Sequence, residues 1–352
     1  MSRIADQWSA LWPALAFLLA GVPLASLLDR IGFFSAAATL LIGKGDHDRS
    51  ALGLWVLAAF TTAVLNLDTT VVLLTPLCLR LAKQSGTDPV PLAAIPLLLA
   101  SFASSILPIS NLTTLIAAQR FGLSVLDVLG HLALPSLAAC TVGWFVYRRR
   151  YPSMLSADAT DPLDRRALST GGLVVAGLLV GFVLGPTVGI DAWAVALAAD
   201  IALIAMVHWV PWRDVPLTTA LLVAAIAAVV ALAVPVDALR TPLLDADPAA
   251  VGLLAISAGA IANMVNNLPA LLVGTDAVSQ MTWGMWAWLL GVNVAAVLLP
   301  IGALANLLWL RIMRAEGLQV GLRQYLWITV PIGVPAALVA IVVLVGQRAV
   351  AS

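Results

Sequence analysis

The stretches Leu65-Asn66-Leu67-Asp68-Thr69-Thr70 (65–70) and Ala262-Asn263-Met264-Val265-Asn266-Asn267 (262–267) each set polar side chains in the middle of an apolar segment, 51–82 and 249–274. Each segment is long enough for two short helices. Broken helices in hydrocarbon leave N–H and C=O groups without partners, tolerated only where protein or a water-filled cavity satisfies them. Both breaks therefore predict helical hairpins that enter a membrane, turn at a polar tip and return to the side they came from.

The rest of the sequence supplies that membrane. Of 352 residues, 62% are hydrophobic and only 10% charged, with a mean hydropathy of +1.03, against about 25% charged in a soluble domain. Apolar segments near 8–28, 91–119, 125–147, 169–186, 190–208, 216–235, 284–310 and 325–346 are each long enough to span about 30 Å of hydrocarbon. The expectation is an all-α membrane protein with about eight crossings plus two hairpins. Arg3 and Asp6 precede the first apolar run, which contains Pro13 and Pro23 and no small-residue cleavage site, so it is read as a retained span.

Charge reports orientation. Acidic and basic residues balance at 18 each, so no overall field draws nucleic acid. The loop 148–168, with Arg148, Arg149, Arg150, Arg165 and Arg166, is assigned to the cytoplasm by the excess of basic residues in short inner loops. Counting back places Arg30, Lys44, Arg49, Arg80 and Lys83 inside, provided 51–82 returns to its own side. Counting forward places Arg213 inside, Asp237, Asp245 and Asp247 outside, and Arg311, Arg314 and Arg323 inside, provided 249–274 returns outward. One hairpin then opens to each side.

Opposed hairpins are what an inverted-topology repeat requires. Residues 108–116, PISNLTTLI, and 300–308, PIGALANLL, share proline, isoleucine and two leucines at an offset of 192, and Asn66 precedes Asn263 by 197. This predicts a first repeat at 1–150, a cytoplasmic linker at 151–168 and a second repeat at 169–352. The first repeat is shorter by two spans, with nothing to match 169–208.

The candidate site lies at the two tips and the two proline blocks. Asn66, Asp68, Thr69 and Thr70 supply a carboxylate, an amide and two hydroxyls, and Asn263, Asn266 and Asn267 supply three amides. Ser110, Asn111, Thr113 and Thr114 follow Pro108, whereas Gly302 and Asn306 follow Pro300; both blocks are read as unwound spans facing the tips. Half-helix N-termini favour an oxyanion or hydroxyl, and freed carbonyls with Asp68 favour a proton or a cation such as sodium. Serine, threonine and asparagine also bond across helices in ordinary spans, at about 0.6 kcal/mol each, but here they coincide with helix breaks. Asp68 is the leading ion-coupling residue, because an acid at mid-membrane is costly. Asp200, central in 190–208, is a second acid that relays protons or caps a neighbouring helix. His131, His47 and His208 read as packing, loop or interface residues, and the tryptophans as interfacial anchors. Cys78 and Cys140, the two cysteines, sit in separate apolar segments and suit neither a disulfide nor soft metal coordination. No catalytic constellation, metal site or cofactor is expected.

The motifs LNLDTTVVLLTP (65–76), LPISNLTTLI (107–116), VNNLPALL (265–272) and GVNVAAVLLPIGALANLLWLRIMRAEGL (291–318) resemble the arsenite/antimonite permease family. That family lies within the ion transporter superfamily, which also holds citrate and dicarboxylate carriers. The resemblance covers nearly the whole chain. It implies export of trivalent arsenic or antimony oxyacids across the inner membrane, coupled to the proton gradient or to a soluble ATPase partner, on a dimeric scaffold. It maps Asn66 and Asp68 to the first tip, Ser110 and Asn111 to the first unwound span, Asn266 and Asn267 to the second tip, and Gly302 to Asn306 to the second unwound span. The last motif departs from the family in Ala303 after Gly302 and in Asn306 in place of a threonine.

Two readings of the solute follow: a neutral trihydroxy oxyacid, or a citrate- or dicarboxylate-like anion moved with a cation. Basic residues beside the site would favour the anion, and none lies within either tip or proline block. An intramembrane enzyme would need a nucleophile with a base, or an acidic metal cluster, and no such spacing occurs.

Overall fold

The computed structural model describes residues 2–42, 47–152, 163–233, 237–244 and 247–351. Lys44, Asp245 and residues 153–162 of the linker lie outside the described residues, as do the side chains of Arg3, Asp6, Arg49 and Asp237. Every regular element among the described residues is helical. In chain order they are α1 (Ser2–Arg30), α2 (Phe33–Ile42), α3 (His47–Val64), α4 (Leu67–Ser85), α5 (Pro89–Phe102), α6 (Leu112–Phe121), α7 (Val125–Val128), α8 (Leu134–Arg150), α9 (Arg165–Leu184), α10 (Ala192–Val207), α11 (Leu217–Ala233), α12 (Asp237–Leu244), α13 (Pro248–Val265), α14 (Asn267–Ala277), α15 (Trp283–Val294), α16 (Leu304–Ala315) and α17 (Leu322–Val350).

Six helical stretches are long and apolar enough to cross a membrane: Leu11–Arg30, Val125–Arg150, Arg165–Val188, Trp212–Val230, Pro248–Val265 and Leu322–Val350. Shorter apolar helices, Pro89–Phe102, Ala192–Val207 and Trp283–Leu298 among them, account for the remaining predicted crossings. The expected spans 91–119 and 284–310 are each two half-helices, α5–α6 and α15–α16, joined through the proline blocks.

The hairpins form as the sequence demands. Helix α3 ends at Val64 and α4 begins at Leu67, whereas α13 ends at Val265 and α14 begins at Asn267. Thr282, just past α14, donates to the Leu243 carbonyl, just before α13, so the second hairpin ends where it started. Asp29 at the end of α1 lines one cavity with Arg80 and Lys83 near the end of α4, which places the return of the first hairpin beside that end of α1.

Side-chain contacts set the directions of the spans. Trp12 meets Trp193 at 5.5 Å between ring centroids, and the Arg30 guanidinium lies 4.7 Å from the Trp209 ring, so α1 and α10 run parallel. Arg150 donates to the Trp327 carbonyl at 3.0 Å and Gln347 to the Gly130 carbonyl at 3.0 Å, so α8 and α17 run antiparallel. Both relations match the directions derived from lysine and arginine placement. The basic residues Arg30, Arg80, Lys83 and Arg150 therefore gather at one end of the bundle.

The half-helices α5 and α15 occupy the centre, buried along nearly their whole length, as a helix apolar on all sides must be. Close approach is set by glycine: a Cβ at Gly259 would come within 2.7 Å of the Ala295 Cβ, and one at Gly291 would collide with the Ala255 carbonyl oxygen. This draws α13 onto α15. At the periphery α10 packs on α1, and α9 on α2 and α10. These are the two spans for which the first half has no counterpart in sequence.

Single cysteines at exposed positions test this arrangement, because Cys78 and Cys140 are both buried. Gln84→Cys, beyond the first hairpin, is expected to react with a membrane-impermeant thiol reagent in everted vesicles only, and Ser279→Cys, beyond the second, in intact cells. Labelling of both from one side would overturn the opposed hairpins.

Candidate functional site

Each helix break is built around an asparagine in an unusual backbone conformation. Asn66 has φ 154° and ψ 159°, and its Oδ1 accepts from the Asp68 N–H at 2.6 Å. Asn266 has φ 84° and ψ 150°, and its Oδ1 accepts from the Leu268 N–H at 3.2 Å. Both side chains cap the helix that leaves the tip, satisfying a donor that the break would otherwise orphan. The structural counterpart of Asn66 is thus Asn266, 200 residues later, and the sequence pairing with Asn263 at an offset of 197 is corrected. Asn263 lies nearly one turn earlier, where its Nδ2 donates to the Gly259 and Ala295 carbonyls and its Oδ1 accepts from the Leu299 N–H.

The proline blocks recur at their offset of 192 in conformation as well as in sequence. Leu107 (φ −123°, ψ 156°) and Leu299 (φ −121°, ψ 151°) each lead into a 3-10 turn, Pro108–Ser110 and Pro300–Gly302. Asn111 and Ala303 then extend the chain before α6 and α16 begin. Thr114 in the first block donates to the Ser104 carbonyl at 3.4 Å, and Asn306 in the second donates to the Ala296 carbonyl at 2.8 Å. Asparagine in place of threonine at 306 keeps that tie. Gly302 admits no side chain, because a Cβ there would collide with the Ala296 carbonyl oxygen and lie 2.8 Å from Asn263 Oδ1.

The tips and blocks meet crosswise: α4 packs against α16, and α14 against α6. At this crossing a cavity of about 20 Å³ is lined by Leu67, Asp68, Asn111, Leu112, Thr113, Thr219, Asn267, Leu268 and Leu304. That is space for about one water molecule. Neither the Asp68 carboxylate nor the Asn267 amide has a hydrogen-bond partner among the described residues, so both are available to a solute. Thr219, on the first turn of α11, is a member that sequence reading missed. Its segment carries no break to flag it.

Thr70, Ser110 and Asn266 hold the backbone around this cavity, whereas Thr69 and Asp200 do not. Thr70 donates to the Asn66 carbonyl and accepts from Thr62 at 2.9 Å, which braces the two arms of the first hairpin. Thr69 is buried with its hydroxyl unpartnered. Ser110 closes its own turn onto the Leu107 carbonyl. Asn266 Nδ2 holds the Ile301 carbonyl at 2.9 Å, fastening the second tip to the second block. Asp200 is buried on α10, one carboxylate oxygen without a partner, and lines none of the cavities at the tips. Sequence reasoning placed it centrally in its span, but α10 lies on the outer side of α1.

A second cavity of about 330 Å³ shares Asp68, Thr219 and Leu304 with the first and adds Leu18, Val22, Val72, Thr218 and Arg311 among others. A third, about 460 Å³, shares Val72 with the second and is lined by Asp29, Arg80, Lys83 and Glu316. The site therefore adjoins a chain of cavities leading to the basic end. No basic residue lies within either tip or proline block, but Arg311, two turns along α16 from Leu304, lines the adjoining cavity that Asp68 also lines.

Comparison with known proteins assigns this arrangement. A family model described as "Citrate transporter" matches residues 5–295. The chain belongs to the citrate transporter family. It is a multi-pass membrane protein with the helical architecture of a transporter. An arsenical pump membrane protein of Yersinia enterocolitica is 25% identical over 358 residues, covering 90% of this chain and 82% of the relative. The protein of that name in Escherichia coli K12 matches to the same extent. Among solved structures, the YdaH transporter of Alcanivorax borkumensis, described as having an unusual topology, superposes with a TM-score of 0.57 at 13% identity, covering 99% of this chain and 88% of that one. That likeness concerns the fold alone.

The left-handed φ at Asn266 gives a test. Asn266→Ala loses a cap, worth about 1 kcal/mol, and forces alanine into a conformation costing about another 1 kcal/mol or more. Asn266→Gly loses the cap without that strain, so its thermal midpoint in detergent is expected to lie between those of the parent and Asn266→Ala. Equal midpoints for the two variants would show that the tip backbone is unstrained.

Proposed function

We propose that this chain is a secondary active transporter of the inner membrane that exports arsenite- or antimonite-like oxyacids in exchange for protons. The observation that carries this reading is the cavity where Asp68, Asn111, Asn267, Thr113 and Thr219 meet with no basic side chain. Amides and hydroxyls can both donate to and accept from a neutral trihydroxy solute, and one carboxylate is free to take a proton. The relatives named arsenical pump membrane protein support the solute class. A trihydroxy solute is larger than one water, so it enters only when the tips draw apart from the facing blocks.

In this reading the two halves are inverted repeats, supported by the shared capping asparagines and the shared block conformation. Each half gives one tip and one unwound span to a site neither completes alone. Asp68 is the proton-coupling residue, because it is the acid at the crossing and its carboxylate is unpartnered. Asp200 has no place in this scheme.

A carboxylate carrier is the second reading, favoured by the description of the family model and by Arg311 in the adjoining cavity. Uptake into everted vesicles separates them. Arsenite is expected to accumulate under an imposed proton gradient without ATP or sodium, whereas accumulation of citrate with a cation gradient would favour the second reading.

Asp68→Asn, at normal expression, is expected to abolish gradient-driven accumulation. Asn267→Ala is expected to raise KM for arsenite about fivefold, the equivalent of one oriented hydrogen bond. Full flux in Asp68→Asn would remove the coupling role, and an unchanged KM in Asn267→Ala would leave the second tip as scaffold.

A further inference from the structure

Asn293, on α15, falls within the motif 291–318 but is not among the candidate site residues, yet it is the most heavily bonded side chain at the crossing. It is buried, with 1% of its surface exposed. Its Oδ1 accepts from Thr113 Oγ1 at 2.6 Å and from Asn111 Nδ2 at 3.1 Å. Its Nδ2 donates to Ser105 Oγ at 2.9 Å and to Thr114 Oγ1 at 3.0 Å. All four partners lie in the first half of the chain, roughly 180 residues away in sequence.

The directions of these bonds are forced. Asn111 must turn its Oδ1 to the Thr113 N–H, which it accepts at 3.1 Å as the cap of α6. Its Nδ2 therefore faces Asn293, which must answer with its own Oδ1. That leaves the Asn293 amide donors for the Ser105 and Thr114 hydroxyls, and Thr114 passes its proton on to the Ser104 carbonyl at 3.4 Å. Each bond made by Asn293 has one consistent direction. A buried polar network bonded in this way holds its members in a single arrangement, and leaving its groups unpaired is costly.

The two side chains held by Asn293 Oδ1 are Asn111 and Thr113, which line the central cavity. In the matching position of the other half, 192 residues earlier, stands Ser101, which has no bond to the second block among the described residues. The brace therefore runs one way, from the second half to the first. The geometry points to Asn293 as a positioning residue that sets the orientation of Asn111 and Thr113 towards the solute without touching it. This rests on the reading of the central cavity as the solute site.

The test compares Asn293→Leu, which keeps the γ-branched outline and removes every bond, with Ser105→Ala, which removes one partner of Nδ2 and leaves Asn111 and Thr113 held. In everted vesicles Asn293→Leu is expected to raise KM for arsenite about fivefold or more, as loss of an oriented hydrogen bond does, with maximal rate per amount of protein within about twofold. Ser105→Ala is expected to leave KM within about twofold. Hydrogen exchange over residues 108–116, measured without solute, is expected to quicken in Asn293→Leu and not in Ser105→Ala, because the Asn111 cap on the Thr113 N–H loses its support. Unchanged KM and exchange in Asn293→Leu would overturn the assignment, as would equal effects in the two variants. Should Asn293→Leu fail to reach the membrane, Asn293→Ser, too short to reach Asn111, takes its place. If the parent chain carries no arsenite, the proposed solute falls, and the exchange comparison still decides the role of Asn293.

Discussion

A helix that stops inside a membrane must find partners for the backbone groups it leaves open, and this fold is organised around four such stops. Water is not available there at will, so each orphaned N–H or C=O costs several kcal/mol unless protein answers it. Four asparagines supply much of the answer. Asn66, Asn111 and Asn266 each turn Oδ1 onto the N–H two residues on, and Asn263 reaches the Leu299 N–H across the gap between α13 and the second block. Asparagine suits this work because one short side chain offers an acceptor and two donors.

Satisfying the breaks also decides what they face. Because α4 packs on α16 and α14 on α6, each tip lies against the broken span of the other half. Among the cavity-lining residues, Asp68 and Asn267 keep spare hydrogen-bonding capacity at that crossing, while Asn66, Thr70 and Asn266 beside them are consumed in holding the backbone. A cavity of about 20 Å³ between four helix ends is small, and its walls belong to separate elements. Movement of either hairpin against the facing block therefore changes the site directly. The larger cavities beside it, bordered by Arg311 and then by Arg80, Lys83, Asp29 and Glu316, join it to one end of the bundle.

Much of this could be read from residue order. The polar runs at 65–70 and 262–267 mark breaks because hydrocarbon tolerates them nowhere else. The prolines at 108 and 300, followed by the same leucine spacing, mark two unwound spans whose backbone angles agree closely. Lysine and arginine placement gives the directions of α1, α8, α10 and α17, since charge cost at the membrane face acts locally on each loop. Division of labour among the polar residues could not be read. Asn66, Asn263, Asn266 and Asn267 look alike in sequence, and only their contacts separate three that brace the backbone from the one that faces the cavity.

The sequence by itself determined that the chain is an all-helical membrane protein with two polar hairpins and two broken spans, because hydropathy and helix breaking are properties of short segments. Tertiary structure decided the rest. It paired Asn66 with Asn266, brought Thr219 and Arg311 to the neighbourhood of Asp68, set Asp200 apart on the outer side of α1, and joined Asn293 to the first block. Those relations link residues far apart in the chain, and the packing of one helix against another that fixes them leaves no local periodicity to be read.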